Sequence, residues 1–272
     1  MHDLGRRRFL AGGVSVGAAL LAGPRRLAAQ TAPASAGPAD AKLIEDLVAA
    51  NHILVDQGVL DGYGHVSVRH DRDPNRYLMS RSIAPELVTA ADVMEYDLDS
   101  SAVDARGRGS YLERFIHGEI YKARPDIKAV AHSHSPSVIP FGTTGVALRP
   151  LYHMSAFLWA GVPVFDIRAA SGEMTDMLVR NATLGRALAQ ALGTRAVALM
   201  RGHGNVVVGV SLPQAVFRSV YTEVNARLQA QALALSNNVT YLDPEEAKKA
   251  EVSLAGTLDR PWALWKRKAL AK

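Results

Sequence analysis

The chain of 272 residues has no cysteine, which excludes disulfides, thiolate metal ligands and a thiolate nucleophile. Aromatic residues are scarce at 6%, and none interleaves with a basic stripe, so the pattern of a nucleic-acid-binding surface is missing. No internal repeat or low-complexity tract breaks the interior of the chain. A spanning helix is missing as well. The mildly apolar part of "GRRRFLAGGVSVGAALLAG" near the N-terminus runs for about 14 residues and is rich in Gly and Ala, too short and too weak to cross a bilayer. What is present is enough apolar material, 48% of residues, for one full-sized core or at most two small ones.

The net charge of +5 is unevenly placed. Residues 1–36 hold Arg6, Arg7, Arg8, Arg25 and Arg26 against Asp3, a surplus of 5 − 1 = 4, which leaves 5 − 4 = +1 for the rest. The basic character therefore belongs to the leader and implies no anionic macromolecular partner. An arginine pair, then Phe9-Leu10, then a Gly/Ala-rich run resembles a twin-arginine export signal. The expectation is a periplasmic protein with no stable membrane insertion, cleaved after Ala29 or near Ala36. "TAPASAGPAD" reads as a flexible linker. Residues 1–36 are thus signal and linker, and 38–272 one catalytic domain.

Apolar residues at helical spacing from Ala39 to about Val59, with Asp40 as a cap, predict a first helix. "GYGHVSVRH", "YLMSRS" and "VMEYDLD" read as strands. "YLERFIHGEIYKA" reads as an amphipathic helix stopped at Arg124-Pro125. "IKAVAHSH" and "VPVFDI" are strand-like, "MTDMLVRNATLGRALAQALG" holds one or two helices with Gly193 as a C-cap, and "RAVALMRGHGNVVVGV" holds two buried strands broken at Gly202–Gly204. A long helix starts at "LPQAV", and the C-terminal stretch from "PEEAKK" is helical. Strands interspersed with helices argue for a layered α/β domain.

Nine histidines stand out in this background, two of them one residue apart in "AVAHSHSPSVIPFG". Side chains alternate on a strand, so His132 and His134 face the same way and can reach one ion. By itself the pair reads equally well as two half-exposed strand-edge residues. His203 sits between glycines at the end of an apolar strand, where ligands of α/β sheets gather. Glu113 and His117 are four apart on the predicted helix and share a face. Ser80, Arg81 and Ser82 follow a strand in a turn, a candidate anion grip, with Arg149 or His153 as further candidates. His153 reads equally as a packed, hydrogen-bonded residue. Trp262 and Trp265 read as packing residues.

Taken together, Glu113 nineteen residues before His132, "ARPDIKAVAHSHSP" and "RGHGNVVVG" resemble the class II aldolase/adducin family, over about Ala41 to Tyr241. The resemblance implies a three-layer α/β/α fold with a central mixed sheet. It further implies one divalent ion per subunit on His132, His134 and His203, with Glu113 as the acid/base. Zn2+ or Mn2+ suits three imidazoles, and Fe2+ or Co2+ also fits. His117 would orient a ligand or a water from behind. The family's tetramers imply a homotetramer, with Tyr221 or a C-terminal residue acting at a neighbour's site.

Departures from the sugar-phosphate aldolases of that family separate this chain from them. "GHVS" puts His65 where asparagine is usual, Ser80-Arg81 replaces Thr-Gly, and Tyr111-Leu112 replaces Ser-Ser. Trading small phosphate-holding residues for an arginine suggests a planar carboxylate substrate held by Ser80, Arg81, Ser82 and His65. The chain looks most like the subgroup of metal-dependent decarboxylases of hydroxylated aromatic or pyridine carboxylates. The alternative is an aldolase or epimerase acting on a sugar or sugar phosphate.

Overall fold

The computed structural model describes residues 32–271, so residues 1–31 of the expected signal and linker, including Arg6-Arg7 and the Gly/Ala-rich run, lie outside the described residues. Ala34 to Gly37 run along a sheet edge: the Ala34 carbonyl accepts from the Arg76 guanidinium, and Ser35 and the Ala36 amide donate to Glu95. Helix α1 (Ala41–Asp56) starts where Asp40 accepts from the Lys42 amide, relieving one of the unpaired amides of a first helical turn. Strands β1 (His65–Arg69), β2 (Arg76–Ser80) and β3 (Val93–Asp97) follow as an antiparallel meander. A short 3-10 turn, Leu112–Arg114, leads into α2 (Phe115–Ala123), and β4 (Ala129–Ser133) comes next. The short helix α3 (Ile139–Thr143), β5 (Val164–Phe165) and the short α4 (Ile167–Ser171) precede α5 (Ala182–Leu192), which ends at Gly193. The hairpin of β6 (Val197–Met200) and β7 (Gly204–Gly209) then leads to α6 (Leu212–Leu235), α7 (Pro244–Ala255) and α8 (Asp259–Ala269).

The seven strands form one sheet in the order β3-β2-β1-β4-β7-β6-β5. Every pair is antiparallel except β5 with β6, so the sheet is mixed. Alternation then sorts the side chains. Val66, Val68, Ala129, Ala131, Leu199 and Val207 join α1, α6 and α8 in one core. Tyr77, Met79, Val130, Ala198 and Val206 join α2 and α5 in the other. Helices on both faces of the sheet make the expected three-layer α/β/α fold. Trp262 and Trp265 are buried in the first core, as packing residues.

Two expected helices differ in extent. The segment before Ala182 is irregular: Met177 has φ +66°, a left-handed conformation that ends helical continuation. Glu113 lies in the 3-10 turn with φ −90° and ψ +16°, ahead of α2. It does not share a regular helical face with His117, although both side chains point toward the sheet.

Candidate metal centre

The centre is assembled at the end of β4, where side-chain parity turns even-numbered residues toward the α2 layer. In the register β1–β4–β7, His65 stands opposite His132, and His132 opposite Val206. The Nδ1–H of His132 donates to the Asn205 carbonyl at 3.0 Å, which leaves Nε2 as a bare lone pair. That atom is buried and has no hydrogen-bond partner among the described residues, a costly state for a polar atom unless something else binds it.

His203 is oriented in the same way. The bend at Gly202, which has φ +63°, brings the ring round so that Nδ1–H donates to the Met177 carbonyl at 3.1 Å. Its Nε2 then stands 3.0 Å from Nε2 of His134. Two nitrogens each about 2.0–2.1 Å from a shared ion lie roughly 2.9–3.4 Å apart between right-angle and tetrahedral geometry. Glu113 closes the group. Its Oε2 lies 3.5 Å from Nε2 of His132 and 3.4 Å from Nε2 of His203, while Oε1 accepts from the Val179 amide at 2.8 Å. One ligand atom from each of Glu113, His132, His134 and His203 falls within 4.8 Å of all the others. The orphaned Nε2 and the donor set fit a divalent cation.

The electrostatics agree with this reading. Burial would raise the Glu113 carboxyl, but the electrostatic pull of the His132 and His203 rings, 3.5 and 3.4 Å from Oε2, outweighs it and keeps the group ionised. Burial, aided by His132 and His203, pushes His134 down to about 4. Burial works against a proton on His203, yet the contact with Glu113 prevails and raises it. A cation would replace the protons these groups compete for.

Behind the centre lies a second buried chain. His65 Nδ1 is 2.6 Å from His117 Nε2, His117 Nδ1 is 2.6 Å from Ser67 Oγ, and Ser67 Oγ is 2.8 Å from Tyr121 Oη. Burial pushes His117 down to about 3, so its ring is neutral. His117 therefore backs His65 rather than a member of the Glu-His cluster.

A cavity of about 420 Å3 opens onto the cluster, within the size range of small-molecule sites. Ser82, His65 and Glu113 line it together with apolar Ile83, Leu112 and Leu178. Other expected contacts are placed elsewhere. Arg81 is turned to Asp92, its Nε 2.6 Å from Oδ1, because Asp92 ends the 3-10 turn that packs beside β2. Ser80 is fully buried and shares a hydrogen bond with the Tyr111 hydroxyl at 3.1 Å. The Arg149 backbone is held by Gln229 and Asn225, and its guanidinium covers the Tyr241 ring. His153 lines a different cavity, with Tyr221 and Trp265. No Lys or Arg lines the metal-side cavity among the described residues.

Sequence reasoning missed some supports of the site: Asn205, Met177 and Val179 through their backbones, and Tyr63 as an aromatic wall, whereas Tyr111 and Leu112, noted as replacing Ser-Ser, do line the cavity. Tyr63, next to the Gly-rich "DGYGH", carried the one sequence signal among them: an exposed aromatic in a bend beside the strand of His65.

Fold and centre together define a family. Residues 45–230 match the Class II Aldolase and Adducin N-terminal domain, and the chain belongs to that family. It is 38% identical over 246 residues to Decarboxylase tropJ of Talaromyces stipitatus, covering 82% of this chain and 92% of that protein. It is 32% identical over 204 residues to the 3,4-dihydroxyphthalate decarboxylase of Arthrobacter keyseri, covering 69% and 77%. Among solved structures, L-fuculose 1-phosphate aldolase from Glaciozyma antarctica superposes with a TM-score of 0.70 at 23% identity, over 86% of this chain and 93% of that one. The last likeness supports the fold alone.

Proposed function

We propose that the protein is a lyase, a divalent-metal-dependent decarboxylase of hydroxylated aromatic carboxylic acids. The observation that carries the reading is the bare, buried Nε2 of His132 converging with His134, His203 and Glu113. A purely structural member of the family has no use for such an arrangement. The relatives named as decarboxylases supply the reaction class. Zn2+ or Mn2+ would be held by His132, His134 and His203, and would supply an electron sink for the breaking C–C bond. The ionised Glu113 accepts the proton of a substrate hydroxyl and returns it to the ring carbon as CO2 leaves with the broken bond's electrons remaining on the ring. Ser82 and the apolar walls position a planar ring.

The test is CO2 release from hydroxybenzoates and hydroxyphthalates by protein of measured metal content. Release that is lost with the metal supports the reading. Aldehyde release from a ketose phosphate, with no CO2 from any acid, replaces it with the aldolase alternative. We further propose a homotetramer exported to the periplasm by the twin-arginine route, on the strength of the family resemblance and of Arg6-Arg7 ahead of the Gly/Ala-rich run. Changing Arg6 and Arg7 to lysine should hold the protein in the cytoplasm; unchanged fractionation would remove the route.

A further inference from the structure

The chain His65–His117–Ser67–Tyr121 has no part in holding a metal, yet its first ring lines the substrate cavity. Four polar groups in a buried row must agree on the direction of their hydrogens, and one end of the row decides. The Tyr121 hydroxyl reaches the Lys128 carbonyl at 3.4 Å, and a carbonyl can only accept. Tyr121 therefore donates to Lys128, Ser67 donates to Tyr121, and Nδ1–H of His117 donates to Ser67. Nε2 of His117 is then an acceptor, and Nδ1–H of His65 donates to it. Both rings are buried, where an imidazolium would forfeit its solvation, so each is neutral and has one hydrogen to place.

We propose that His65 is a specificity-determining residue: the row locks it as the tautomer whose Nε2 is a bare acceptor at the cavity, where it accepts a hydrogen bond from a second hydroxyl on the substrate ring. The inference rests on the decarboxylase reading. Two acceptors, Glu113 and His65, flank His132 in one cavity whose described lining offers no cation. A ring with neighbouring hydroxyls supplies a donor to each.

The direct test is nitrogen-15 NMR of histidine-labelled, Zn2+-loaded protein, with His65 assigned by its loss in His65→Phe. The expected spectrum has the hydrogen on Nδ1 and Nε2 unprotonated; a hydrogen on Nε2 overturns the proposal. Tyr121→Phe, outside the cavity, removes the end of the row, and His65 should then lose its single tautomer. An unchanged signal would mean that the row does not set it. Calorimetry with 2,3-dihydroxybenzoate and 2-hydroxy-3-methoxybenzoate reads the consequence. The wild type should prefer the dihydroxy acid about tenfold, the size of one neutral hydrogen bond. That preference should fall to near unity in His65→Phe at equal zinc content, and an equal preference in both proteins overturns the role. If the tautomer and the preference hold while no acid yields CO2, the reaction assignment fails and the recognition by His65 stands.

Discussion

A histidine can be useful at this site because its two nitrogens are separately committed. His132 and His203 each spend Nδ1–H on a backbone carbonyl and aim Nε2 at the same point, the arrangement that fixes a ring as a metal ligand. His117 spends both nitrogens inside the protein, on His65 and Ser67. Its neutral state has a measurable consequence. Burial holds it at about 3, against about 6.5 in an unfolded chain. Below pH 6.5 the unfolded state takes up a proton that the folded state refuses, so stability is complete above about 6.5 and is lost as pH falls toward 3. The slope reaches about 1.4 kcal/mol per pH unit for one such group. Urea midpoints of metal-free protein between pH 7 and pH 4 should fall, and His117→Gln should flatten the decline. A variant with the wild-type slope would show that other groups carry it.

At the level of elements, the centre depends on how rigidly β4, β7 and the segment after β4 are fastened. Gly204 lets β7 approach so closely that a Cβ there would run into the Ser133 carbonyl. Beyond the strand, His134 sits between anchored serines: Ser133 donates to Asn205, and Ser135 and Ser137 donate to the buried Glu223 of α6. Glu223→Ala should therefore weaken metal affinity, measured against a competing chelator, by about 10–100-fold, the usual cost of losing an orienting partner. A lower melting point with unchanged affinity would reduce Glu223 to packing. These fastenings mark the boundary of what the sequence made legible. Alternation placed His132 and His134 on one face, and helical spacing found α1, α5 and α6, because both signals are local. The Glu113 turn was hidden inside a helical pattern. The Met177–Val179 segment read as helix because it is held by Glu113 and His203, which are distant in sequence. Arg81 looked free for an anion because its partner Asp92 is revealed only by the packing of a turn against β2. His117 could not be matched to His65 and Ser67 across 50 residues of chain.

For the molecule as a whole, the four cluster residues come from three separate parts of the chain. Glu113 leads into α2, His132 lies near the end of β4 with His134 just beyond it, and His203 lies in the β6–β7 bend. The cluster is tied further to the Met177–Val179 segment. An ion bound there joins the central strands to the α2 layer, and the unfolded chain offers no equivalent set of ligands, so binding stabilises the fold as a whole. At a free metal concentration about a thousand times the dissociation constant, the gain is about 4.1 kcal/mol. In a chain of this size each kcal/mol moves the melting point by roughly 2–4 °C, so chelation should lower it by roughly 8–16 °C. Adding Zn2+ or Mn2+ should restore it. His132→Ala and His203→Ala should melt at the same temperature with or without chelator, since each removes a ligand whose Nε2 faces the ion. A wild-type protein indifferent to chelation, with no divalent metal found on elemental analysis, would leave the buried Nε2 of His132 unexplained and the metal centre disproved.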